Sequence, residues 1–141
     1  MKSFARLKDY IIRVSKKGLS PNEIASAVSI GTFIACIPLI GIHTIIAIAL
    51  ASLLRLNTFV VLLGTQISNP LSFPFQLFIS AEIGSLILNG HFLDIKFSKD
   101  INYVSHYIAP IIIGSLVLGI TISILSYLLV KIFLTKRKVL I

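Results

Sequence analysis

The residues of this chain that could bind a polar ligand or move a proton are few, and they sit in apolar surroundings. The stretch Gly-Thr-Gln-Ile-Ser-Asn-Pro-Leu-Ser-Phe-Pro, residues 64–74, places Thr65, Gln66, Ser68, Asn69 and Ser72 together between apolar flanks at 59–63 and 75–80. Gly64, Pro70 and Pro74 break a helix there. Polar backbone in hydrocarbon is costly unless it is buried in protein or lines a cavity, so the break is either a site or a packing seam. A second break, at Pro38 and Gly41, puts His43 and Thr44 at the start of the next helical stretch. Helix starts at such breaks can aim positive dipole ends at an anion, with Thr44, Thr65, Gln66 and Ser68 as neutral donors.

Each of these residues also has a structural role open to it. Asn69 beside Pro70 either satisfies freed backbone groups or presents its amide to a ligand. His43 either relays protons or is a hydrogen-bonding structural histidine near a helix break. Glu82 is the one acidic residue inside an apolar segment, which makes it a functional hypothesis by default. Its structural alternatives are a place near headgroups or a pairing with Arg55. His43, His91 and His106 are scattered, and the single Cys36 excludes an intrachain disulfide and a cysteine metal cluster. No nucleophile elbow or phosphate-binding loop is present. No metal, cofactor or catalytic residue is therefore expected.

Composition fixes the setting for these residues. Of 141 residues 56% are hydrophobic and 13% charged, with a mean hydropathy of +0.99. Soluble domains carry about 25% charged residues. Residues 24–54 and 101–130 contain no Asp, Glu, Lys or Arg, and roughly 20 apolar residues span a bilayer as a helix. An integral membrane protein is expected. The net charge of +8 is concentrated at the ends: residues 1–17 sum to +5, residues 131–138 to +4 and residues 89–102 to zero. That distribution follows the positive-inside rule, so anionic lipid headgroups are the expected partner and nucleic acid is not.

Taken in order, the chain shows no signal peptide, because no short apolar region follows its first basic residues. Phe4, Leu7, Ile11 and Val14 recur at helical spacing, predicting an amphipathic helix over 1–18 that lies on a membrane surface or on its own protein. Ser20-Pro21-Asn22-Glu23 is a capping box with Pro at the first helical position. Residues 24–54 would make one straight helix of about 46 Å, too long for a core of about 30 Å. Pro38 and Gly41 divide this segment into a re-entrant hairpin or a kinked, tilted span. Gly-Thr at 31–32 followed by Pro-Leu at 38–39 is echoed by Gly-Thr at 64–65 and Pro-Leu at 70–71. Such paired interruptions point to a transporter's binding region, and chance similarity between apolar stretches is the competing explanation.

A helix then runs to about residue 88, where Asn89-Gly90 stops it. Residues 91–102 suit an interfacial loop. The last span, about 103–133, carries Gly114, Ser115, Gly119, Ser123 and Ser126 at spacings that permit close packing. The fold class is therefore an all-α integral membrane protein in one domain, 1–141. It comprises the N-terminal amphipathic helix, broken or re-entrant helical hairpins at about 24–54 and 57–88, a C-terminal transmembrane helix at about 103–133, and a basic tail at 134–141. Two basic ends require an even number of crossings, with both termini cytoplasmic.

Pro38-x-x-Gly41-x-His43-Thr44, Arg55-Leu56-Asn57 and Gly64-Thr65-x-x-Ser68-Asn69-Pro70-Leu71, followed by Gly84, resemble the signature of an uncharacterised bacterial membrane family, domain of unknown function 2062. The resemblance covers about residues 20–90 plus a less specific C-terminal span. It implies a location in the bacterial inner membrane but no activity. Members joined to glycosyltransferase-like domains suggest, by association only, lipid-linked sugars or polyprenyl carriers.

Three functions remain in view. The first is a transporter or channel-like carrier for a lipid or an anionic solute, working as a homo-oligomer. Its substrate-binding residues would be Asn69, Gln66, Ser68, Thr65, His43, Thr44, Glu82 and Arg55. The second is a non-catalytic scaffold or subunit of a membrane partner protein. The third is an enzyme acting on lipid headgroups, which requires Glu82, His43 and Arg55 to converge.

Overall fold

The computed structural model describes residues 18–94 and 101–139, with side chains from 18 to 94 and from 105 to 136. All but the last residue of the amphipathic helix expected over 1–18, and residues 95–100 of the loop expected over 91–102, lie outside these residues. Five α-helices and no strand occur among the described residues: α1 (Pro21–Cys36), α2 (His43–Leu53), α3 (Thr58–Thr65), α4 (Phe73–Asn89) and α5 (Ile101–Val139). The all-α expectation holds. The last helix exceeds the expected 103–133 and takes in much of the basic tail.

Local chemistry sets each boundary. Ser20 N–H donates to Glu23 Oε2 at 2.8 Å and Glu23 N–H to Ser20 Oγ at 3.2 Å, so the capping box that opens α1 is complete. Pro38 disfavours helical backbone in the residue before it, and Ile37 turns to φ −83°, ψ 131°. Gly41, at φ 82°, brings the chain round so that His43 N–H donates to Leu39 O at 3.1 Å and α2 begins. At the end of α2, Leu56 N–H reaches Ala51 O at 2.8 Å and Arg55 N–H reaches Ser52 O at 3.2 Å. This is a Schellman motif, with Arg55 at φ 55° in the left-handed position that usually belongs to glycine. Asn57 then caps α3 by accepting from Val60 N–H at 3.2 Å.

The directions of the helices follow from which residues touch. Ser29 Oγ lies 2.7 Å from Ser123 Oγ, and a Cβ on Gly119 would meet the Phe33 ring at 3.2 Å. Moving up α5 therefore means moving down α1, and the two run antiparallel. A Cβ on Gly84 would strike Pro110 O, and one on Gly114 would strike Ser80 O. So α4 is also antiparallel to α5, but against its earlier half. Helix α3 packs along α1, where a Cβ on Gly31 would collide with Val61 O and one on Gly64 would come within 2.7 Å of Val28 O. Ala35 and Ser68, each four residues beyond those glycines, line one cleft, so α1 and α3 are parallel.

The two broken segments therefore differ. After the first break α2 folds back and packs on α1. After the second, α4 continues in the direction of α3 and shares no packed face with it. The segment over 57–88, expected as broken or re-entrant, is a broken, onward-running one and not a hairpin. Its polar break is long enough to offset α4 sideways onto α5, and it does not reverse the chain.

The core is made of small side chains. Ala25, Ala27, Ala47, Ala51, Val61, Thr32 and Ser85 are fully buried, while Leu71 is 80% and Ile40 79% exposed. The small residues predicted to pack α5 against something pack it against α1 and α4 of the same chain. Pro110 is accommodated inside α5, with its carbonyl against Gly84.

Candidate functional site

The two breaks meet. Residues 37–42 and 66–72 lie level with the middle of the apolar stretch Ser105–Lys136 of α5, as the Gly119–Cys36 and Gly114–Ser80 approaches require. Between them is a cleft of about 270 Å³. Ala35, Ile37, Leu39, Ile40, Gly41 and His43 line it from the first break and the helices beside it; Ser68, Pro70 and Phe73 line it from the second. Among the described residues its only polar side chains are the half-buried His43 and Ser68, and no Lys, Arg, Asp or Glu faces it.

Most of the polar residues of 64–74 are occupied in building the break. Asn69 Oδ1 accepts from Leu71 N–H at 3.0 Å and Ser72 N–H at 2.9 Å. Ser72 Oγ donates to Ile67 O at 2.6 Å and accepts from Asn69 N–H at 3.0 Å. Asn69 O accepts from Phe73 N–H at 2.9 Å, completing a turn that leads into α4, with Pro74 in the first turn of that helix. Asparagine in such a turn does for loose amides what helix backbone would do. Thr65 Oγ1 donates to Leu62 O at 2.7 Å, and its counterpart Thr32 Oγ1 donates to Val28 O at 2.8 Å. Gln66 is exposed and reaches Leu62 O at 3.4 Å. Thr44 is exposed at the start of α2.

The remaining candidates are dispersed. Glu82 Oε2 accepts from Leu93 N–H at 3.0 Å and fastens the turn after α4. Arg55 lies past the far end of α2, about 16 Å of helix from His43. Glu82 is nine residues into α4, about 13 Å along the helix from the break. His43, Arg55 and Glu82 are not gathered, and the Glu82–Arg55 pairing considered from sequence does not form. Glu82 lies on the earlier half of α5 and Arg55 follows the hairpin on its later half.

Sequence reasoning missed three contributors. Phe73 walls the cleft, Asn57 caps α3, and Gln76 and Ser80 place polar side chains on α4 just beyond Phe73. The signal for that pair was its helical spacing, with Gln76, Ser80 and Gly84 at i, i+4 and i+8 on one face. No curated protein and no solved structure matches this chain. A family described as an uncharacterized protein conserved in bacteria (DUF2062) matches residues 4–140, and the chain belongs to that family.

Proposed function

We propose that this protein is a small helical membrane protein that carries lipid, with the cleft between the two breaks receiving an apolar part of the cargo. The observation that carries this reading is the meeting of both breaks around an apolar cleft at the middle of α5. The exterior supports a membrane setting. Phe59, Phe75, Ile79, Ile124 and Leu129 are exposed, while alanine, glycine, serine and threonine fill the interior. That inverts a soluble core and suits helices packed by small residues in lipid. The stretch Ser105–Lys136 has a hydropathy of 2.5 and is long enough to cross.

In this reading α1 and α2 form a re-entrant hairpin, α3 and α4 a broken crossing of about 35 Å, and α5 the return crossing. Because α1 is antiparallel to α5, residue 18 and the lysines at the end of α5 come to the same pole. This is the cytoplasmic side under the positive-inside rule, facing anionic headgroups. An apolar cleft that no cation lines among the described residues favours lipid over a free anionic solute. Dispersal of His43, Arg55 and Glu82 favours carriage over catalysis. Ile40 and Leu71, highly exposed at the apices of the breaks, favour a second copy or a membrane partner closing the cleft. They leave a partner-subunit role, near enzymes of lipid-linked glycans, as the second reading.

The test is lipid translocation in liposomes containing a fluorescent lipid with an uncharged, hydroxyl-bearing head group, whose label an external reductant bleaches. Wild type should speed bleaching of the inner leaflet. Ser68→Phe, which fills the cleft, should slow it at least tenfold while the thermal midpoint in detergent stays within a few degrees. No acceleration by wild type, or equal rates for both proteins, would refute lipid carriage through this cleft.

A further inference from the structure

Two polar atoms on α4, beyond the cleft residue Phe73, have no hydrogen-bond partner among the described residues. Gln76 Oε1 and Ser80 Oγ are both buried and unpaired, and Ser80 is 1% exposed. A buried polar atom left without a partner is destabilising, so it is retained where something else meets it. Phe73, Gln76, Ser80 and Gly84 follow one another three and four residues apart and so share one face of α4. That face starts in the cleft, at Phe73, and ends against α5, where Ser80 O meets Gly114 and Gly84 meets Pro110. Gln76 Nε2 points at Ile67 O at 3.5 Å, and Ile67 is next to the cleft residue Ser68. With Nε2 directed at the break, Oε1 is the end of the amide left to accept.

We infer that Gln76 and Ser80 form the polar end of the binding site and receive a neutral hydrogen-bond donor, a hydroxyl or an amide N–H, of the lipid whose apolar part lies in the cleft. The inference rests on the cleft being the lipid site and adds the class of head group it selects. Gln76 Oε1 can only accept, so the ligand group must donate; Ser80 Oγ can take either role. With no charged side chain among the described residues lining the cleft, an ionised head group finds no counter-charge from them, whereas an uncharged alcohol or amide needs none. Sites that hydrogen-bond a hydroxyl discriminate strongly against analogues lacking the donor, because the site's own polar atoms are then left unpaired.

The experiment uses full-length protein in phosphatidylcholine nanodiscs with a diazirine-bearing fatty alcohol as photoprobe, its attachment positions read by peptide mass spectrometry. Labelling should concentrate at 35–43 and 68–73. Decanol should compete about tenfold better than methyl decyl ether, the effect of one hydrogen bond. In Gln76→Leu the alcohol and the ether should compete equally while labelling persists. Ser80→Ala should narrow the difference and leave the thermal midpoint unchanged or raised, since it deletes an unpaired atom. Labelling spread evenly over the exposed helix faces would overturn the cleft itself. Labelling at the breaks with equal competition in wild type, or an alcohol preference surviving in Gln76→Leu, would overturn only the role of Gln76 and Ser80.

Discussion

The two broken segments begin alike and end differently. Each starts at a capped helix, passes a Gly-Thr pair and is interrupted near a proline, and the glycines meet where α1 crosses α3. The first break then turns the chain back using backbone alone, with Ile42 and His43 both donating to Leu39 O. The second carries the chain onward and is stitched by the side chains of Asn69 and Ser72. A tight reversal supplies its own acceptors, whereas an onward break leaves amides that side chains must satisfy. The greater polarity of 64–74 thus reports geometry first. The polar side chains that face the cleft lie beside it, at Ser68 and His43.

The largest effect should come from what the segments share. Gly31→Leu or Gly64→Leu would force side-chain atoms into the carbonyls of Val61 or Val28, and neither backbone can retreat without separating α1 from α3. Loss of more than about 4 kcal/mol, or failure to fold, is expected from overpacking this severe. Yield of monodisperse protein in detergent measures it. A well-folded Gly31→Leu protein would show that the crossing is not the hub joining the segments.

Next comes the feature that separates them. Asn69→Ala strips two amides of their acceptor and should cost about 2 kcal/mol. Pro38→Ala removes no hydrogen bond and should cost under about 1 kcal/mol. Thermal or denaturant unfolding of both variants in one detergent gives the ratio. Equal penalties would mean that the second break is not held by side chains.

How much of this was legible beforehand depends on the kind of interaction. Boundaries governed by local chemistry were readable: the Ser20–Glu23 box, the stops at Pro38 and Asn89-Gly90, and the small residues of α5. The opposite directions taken after the two breaks were legible only through the count of crossings between two basic ends, which favours a re-entrant 24–54 and a broken span over 57–88, because Pro and Gly announce that a helix stops and not where the chain goes. That outcome is set by packing of Ser80 and Gly84 on α5, between residues about thirty apart. Arg55 and Glu82 looked chemical because charge is rare in apolar sequence. Their observed roles are a left-handed turn and a cap on Leu93 N–H, which composition does not distinguish from a site.

Arg55 joins the two segments and tests that point at smaller scale. If its role is the backbone turn, Arg55→Gly relieves a left-handed conformation and should stabilise the protein by roughly 0.5–1 kcal/mol, with lipid translocation retained. Lost translocation in a protein of unchanged or higher stability would restore a binding role to the guanidinium.

The smallest difference lies at the two helix starts. α1 is capped reciprocally by Ser20 and the carboxylate of Glu23, whereas α3 is capped by the neutral Asn57 alone. The hydrogen bonds from Ser20, the backbone amide first and the hydroxyl second, hold the Glu23 carboxyl below its ordinary value of 4.5. A lowered folded value means that the ionised form is favoured by folding. The contribution of Glu23 is therefore complete above about pH 4.5 and is lost as pH falls through the lower folded value. Asn57→Ala should cost about 1 kcal/mol at every pH. Glu23→Ala should lower the thermal midpoint at pH 7 and converge on wild type as the solution is acidified. If both variants converge on wild type together, acid is loosening the bundle as a whole. If only Glu23→Ala converges, the first segment has a proton-sensitive start that the second lacks.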